Sequence, residues 1–146
     1  MNILDDIKHE KKLIEKRESD ESMRRNSMIN DWLDDAKEAS KGISAKIRAC
    51  FVEHAKSINT DKQLMVKPCI TTTTRGNQKC AFSAMDTVLV YFHANEEVNR
   101  AMEKERAYYS CLTKLAAFIK EDLAANGQET EPISQDSNNH ICIVLH

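Results

Sequence analysis

Apolar residues recur at helical spacing from the start of the chain: Ile3, Leu4, Ile7, Leu13 and Ile14 predict a first amphipathic helix of a few turns. Between Glu15 and Asn26 the stripe fades to Met23 alone, while Asp20 with Arg24 and Glu21 with Arg25 form favourable i,i+4 pairs. That segment reads either as a solvated continuation of the helix or as a hinge. The stripe returns at Met28, Ile29, Trp32, Leu33, Ala36, Ala39, Ile43, Ile47, Cys50, Phe51 and His54. It predicts a second helix over 27–57, with Asn26 or Ser27 as its cap and Gly42 as a tolerated interruption. No proline precedes Pro68 and no glycine precedes Gly42, so the residues that most readily end a helix are missing from the N-terminal third.

The period changes after Asn59. Leu64 to Thr74 is rich in β-branched residues and ends at Arg75-Gly76-Asn77-Gln78, where Gly-Asn suits a tight hairpin with Lys79 to Met85 as the partner strand. Pro68 cannot donate to a ladder, which puts the first of these strands at an edge or a bulge. The hydroxyls of Thr71 to Thr74 fall on both faces, as on an edge open to strand addition. Thr87 to His93 is the most apolar short run and predicts a central strand. Asn95 then caps a helix opening with Glu96 and Glu97, whose stripe from Val98 to Leu123 runs to a stop at Asn126-Gly127. After a polar loop over 128–139, His140 to His146 predicts a strand that pairs into the sheet or onto a partner.

The expected fold class is therefore α+β: long N-terminal helices followed by a small, mostly antiparallel sheet (hairpin plus central strand), a covering helix and a C-terminal strand. The same pattern divides the chain into a helical N-terminal arm at 1–60 and a small α+β domain at 61–146.

Composition narrows the function classes. With 30% of residues charged and no apolar run near the roughly 20 residues that a bilayer span needs, the chain reads as cytoplasmic and without a membrane partner. The first residues lack the order of a signal peptide. The five cysteines are odd in number and never in a CxxC pair, which suggests neither a disulfide framework nor a zinc ribbon. Residues 1–57 carry 12 basic and 12 acidic side chains, interleaved rather than gathered into one basic face.

Candidate chemistry is sparse. Cys50 and His54, an i,i+4 pair, could join His140 and Cys142 on the terminal strand in a tetrahedral metal set if helix and strand met, although none of these pairs has zinc-finger spacing. Each cysteine sits in or beside an apolar pattern, which favours packing over nucleophilic chemistry. With three glycines there is no phosphate-cradling loop, and neither HExxH nor GxSxG occurs. No cofactor is expected.

The reading that remains is a non-enzymatic protein-binding module, an adaptor, assembly component or inhibitor, acting through an amphipathic helix and an edge strand as a homo-oligomer. Its expected contact residues are Ile29, Trp32, Leu33, Ala36 and Ile43 on the helix, with Ile141, Ile143 and Leu145 on the strand. One alternative is a nucleic-acid-associated regulator using Lys8, Lys11, Lys12, Lys16, Arg17, Arg24 and Arg25. A second is an enzyme built on His93 or His54 with nearby carboxylates.

Overall fold

The computed structural model describes residues 2–57, 68–74, 80–82, 86–135 and 140–146. The chain opens with a single 37-residue helix, α1 (Ile3–Ala39). Asn2 caps it by accepting the Asp5 N–H at 2.9 Å, and Asp5 and Asp6 sit in the first turn where the helix dipole favours them. The segment 15–26 is thus helix, not hinge: without glycine or proline, its charged pairs suffice to carry the helix between two apolar stretches.

Gly42 ends this helix instead of interrupting it. Its φ of 81° lies in the left-handed region that glycine adopts freely, and the chain turns there into α2 (Ile43–Ser57). A second break was also hidden by the periodicity. The stretch 96–125 is two helices, α3 (Glu96–Lys104) and α4 (Tyr108–Ala125), separated at Arg106, whose φ is 51°. Asn95 caps α3 by accepting the Val98 N–H at 2.9 Å.

Five strands form a mixed sheet: β1 (Cys69–Thr73), β2 (Cys80–Phe82), β3 (Thr87–Tyr91), β4 (Ser134–Gln135) and β5 (Ile141–Val144), in the order β2-β3-β1-β5-β4. Three of the four pairings are antiparallel, and β1 with β3 is parallel. The expected hairpin between β1 and β2 does not form. Its turn at Gly76-Asn77 lies outside the described residues, but β3 stands between the two strands, with Ile70 opposite Val88 on one side and Ala81 opposite Leu89 on the other.

β1 is therefore the central strand and not an edge. Pro68 precedes it, where no ladder N–H is needed, and the Pro68 carbonyl accepts the Leu145 N–H at 2.9 Å. Thr71, Thr72 and Thr74 are buried, and the Thr72 hydroxyl donates to the Leu112 carbonyl at 3.4 Å. β3 pairs with Cys69–Thr73 and β5 with Cys69–Thr71, so the strand enters this stretch with a neighbour on each side and not as a free edge. The C-terminal strand pairs into the sheet through Ile143 opposite Ile70, and β4 covers its outer side.

Ile70, Thr72, Val88, Val90, Ile141 and Ile143 share one sheet face by register and alternation, and all six are buried. α2 and α4 lie on the sheet, while α1 packs across α3 and α4. One continuous core joins Ile29, Leu33 and Ala36 of α1 and Ile47 of α2 to Ile70, Leu115, Ile119 and Ile143. Described residues on both sides of residue 60, from Ile29 to Ile143, contribute to that core.

Candidate interaction surface

The eight residues expected to contact a partner are placed inside the fold. Ile29, Leu33, Ala36, Ile43, Ile141 and Ile143 are buried, and Trp32 and Leu145 are half-buried against the core. None of them forms an open docking face. Among the described residues, the exposed large aliphatics lie instead mainly at the start of α1, Ile3 (77%), Leu4 (67%), Ile7 (56%), Leu13 (43%) and Ile14 (49%), with Met23 at 68% further along and Val52 of α2 at 41%.

Among the described residues, α1 is held to the rest of the fold along its C-terminal half. The Trp32 indole N–H donates to the His93 carbonyl at 2.9 Å, and Ile29, Leu33 and Ala36 fill the core beside it. Nearer the N-terminus, Glu105 at the end of α3 accepts from the Arg25 guanidinium at 2.8 Å and from the Ser22 hydroxyl at 3.0 Å. The Arg25 hydrogen bond outweighs partial burial and, aided by Ser22 and Asn26, holds the Glu105 carboxyl below its ordinary value. Every residue from Asn2 to Glu21 is exposed. At 1.5 Å per residue this overhang is about 30 Å long.

The direction of its apolar stripe carries the argument. Eighteen residues make about five full helical turns, so positions that far apart lie on the same side of a helix. Ile14 therefore stands in line with Trp32, Ile7 with Arg25 and Leu4 with Ser22, residues that meet the body of the fold. The stripe that packs on the body at one end continues along the arm, where its side chains are exposed and none of the described residues covers them. Leu13 and Met23 fall to other sides.

Glu105→Ala is expected to speed amide exchange across Ser22 to Met28 and leave Leu33 and Ala36 unchanged, since it releases the last tether before the overhang. Equal exchange in that segment of both proteins would show that the Arg25 and Ser22 contacts do not hold α1 in solution.

Other candidates do not assemble. Cys50 and His54 lie on α2 over β2 and β3, whereas His140 and Cys142 belong to the region of β5, beyond β1. Among the described residues no three histidine, cysteine or acidic groups come together to hold a metal ion. Burial raises the thiols of Cys50 and Cys111 and pushes Cys80 up to about 11, away from reactive thiolates. A cleft of about 530 Å³ between α2, the end of α4 and Leu145 is lined by Ile47, Phe51, Val52 and Leu123 with Arg48 and Gln128, and among its described lining residues there is no acid, histidine or cysteine. His93 is exposed and outside it. Lys8, Lys12 and Lys16 line one side of the arm by their spacing, but Asp5, Glu15 and Asp20 flank them, and Arg25 is engaged by Glu105.

Sequence reasoning missed two acids, Glu105, which tethers α1, and Asp122, which holds the start of α2. Asp122, in the last turn of α4, accepts the Gly42 and Ser44 N–H groups at 2.9 Å each. A signal for it was available. An acid at a helix C-terminus opposes the helix dipole, and its presence there points to an engagement elsewhere.

Comparison with protein-family models, curated proteins and solved structures returns no match. Among the described residues no helix is long and apolar enough to cross a membrane.

Proposed function

We propose that the chain is a non-enzymatic protein-binding module that docks through the N-terminal arm of α1. The observation that carries this reading is the uncovered continuation of α1's packing stripe, Ile3, Leu4, Ile7 and Ile14, beyond the body of the fold. An amphipathic helix that presents such a row of anchors suits an apolar groove or another helix. Full burial of such a side chain from water is worth about 1.5–3 kcal/mol, and a partner would supply the part still exposed, from about half for Ile14 to about three-quarters for Ile3. The arm also has reason to need a partner, because a helix stretch of this length without tertiary packing is marginal in water.

Photo-crosslinking tests the reading. A benzophenone side chain at Ile7 or Ile14 is expected to form protein adducts in expressing cells, while the same group at exposed Lys114 on α4 is not. Absence of protein adducts from both arm positions would overturn it.

A further inference from the structure

Resting on the arm reading above, we propose that the occupant of this face is a second copy of the chain, its arm lying antiparallel against the first. Two observations point to that occupant: the space available beside the arm, and the order of charges along it.

The first is steric. The side of α1 that is open along residues 3–21 is closed from Ser22 onward, where Glu105 of α3 meets Ser22 and Arg25. A parallel partner laid on the stripe would run into α3. An antiparallel partner would not: a helix about 20 residues long can begin beside Ser22 and end level with Asn2, leaving its own body beyond the tip of the first arm. The overhang of one copy is therefore the length of shelf that the other requires.

The second observation is charge complementarity. At about 100° per residue, the row Ile3, Ile7 and Ile14 is bordered on one side by Lys8, Lys11, Glu15 and Glu18, with Leu4 among them, and on the other by Asp6, Glu10 and Arg17. On each border the sign reverses halfway along. Antiparallel pairing of two copies turns the basic half of the first border toward the acidic half of the same border in the second copy, with Lys8 beside Glu15, and sets Asp6 beside its Arg17. Ile7 then lies against Ile14 of the other arm, and Lys11 and Glu10 sit nearest the two-fold axis, each across from its own counterpart. Border charges of this kind choose orientation and register, while the isoleucines supply the apolar contact. The result is a closed, isologous dimer.

The test uses the full chain and two double variants, Lys8→Glu with Lys11→Glu and Glu15→Lys with Glu18→Lys. All four positions are exposed, so both variants are expected to keep the circular dichroism of the parent. Sedimentation equilibrium should give the parent twice its 16.7 kDa chain mass. Each variant alone, with one border carrying a single sign, should self-associate at least about tenfold more weakly, a difference of about 1.4 kcal/mol. An equimolar mixture of the two should recover the double mass, because an all-acidic border then faces an all-basic one. A parent that stays at the single-chain mass at every concentration overturns the proposal, as does a variant that dimerises undiminished or a mixture that stays monomeric. Arm crosslinks to a different protein alongside a monomeric parent would reject the second copy and leave the docking arm standing. No crosslinks at all would reject both.

Discussion

Leu115→Ala is expected to destabilise the fold by about 3–5 kcal/mol, whereas Ile14→Ala, an aliphatic truncation of similar size, is expected to change it by less than about 0.5 kcal/mol. Leu115 has 0% exposure on α4, in the core that joins the sheet to α1 and α2. Removing its side chain loses apolar transfer energy and leaves a cavity that close-packed neighbours fill only in part. Ile14 is 49% exposed on the overhang and has no such cavity to leave. Urea unfolding followed by circular dichroism, on samples dilute enough to separate any assembly, checks the pair, since association would add a concentration-dependent contribution. Equal losses for the two variants would mean that the arm packs on its own fold.

Asp122→Ala is expected to cost about 2 kcal/mol and to flatten the acid limb of stability. Its carboxylate closes the corner between α1 and α2 from a distant helix, holding the Gly42 and Ser44 N–H groups at the start of α2. Burial by itself would raise the Asp122 carboxyl, but those two N–H groups and the Ser44 hydroxyl outweigh it and keep the group below its ordinary 3.8. A group depressed in the folded state binds its proton more readily in the unfolded chain. Its contribution is thus complete above the unfolded value and is lost as pH falls from about 4 through the lower folded value. Glu105, also depressed, acts in the same direction from its ordinary 4.5 downward. Urea midpoints measured from pH 6 to pH 3 should fall for the parent and fall less steeply for Asp122→Ala. Parallel curves would show that the carboxylate does not cap α2.

Much of this architecture could be read from local pattern. The stripe from Met28 to Ala36, the apolar run of β3, the Asn95 cap and the stop at Asn126-Gly127 all correspond to observed elements, because each depends on neighbours in sequence. The failures share a different cause. The turn at Gly42 is held by a carboxylate eighty residues away. Arg106 adopts a left-handed backbone inside an unbroken apolar rhythm, so α3 and α4 looked continuous. The central place of β1 depends on β3 and β5 arriving from either side, and neither β-branched content nor Pro68 reports which strand will be a neighbour.

The candidate site was legible in the same partial way. Ile3, Leu4, Ile7 and Ile14 stood out as a helical stripe, but periodicity states only that a helix has an apolar side. What covers that side is decided where the body of the fold ends, and Trp32 with Leu33 was the stronger stripe for the very reason that it is core. The residues that lie in the open are the continuation of the same line, separated from it by the polar stretch that Glu105 anchors.

Hydrogen exchange of the arm across a dilution series decides whether its apolar side is a docking face. Amides of Ile7 to Ile14 should exchange rapidly when the protein is dilute and gain protection as its concentration rises, while those of Ile29 to Ala36 stay protected throughout. If the arm is already as protected as Ile29 to Ala36 at the lowest concentration, or gains nothing at the highest, then its apolar side is not a docking face for a second copy.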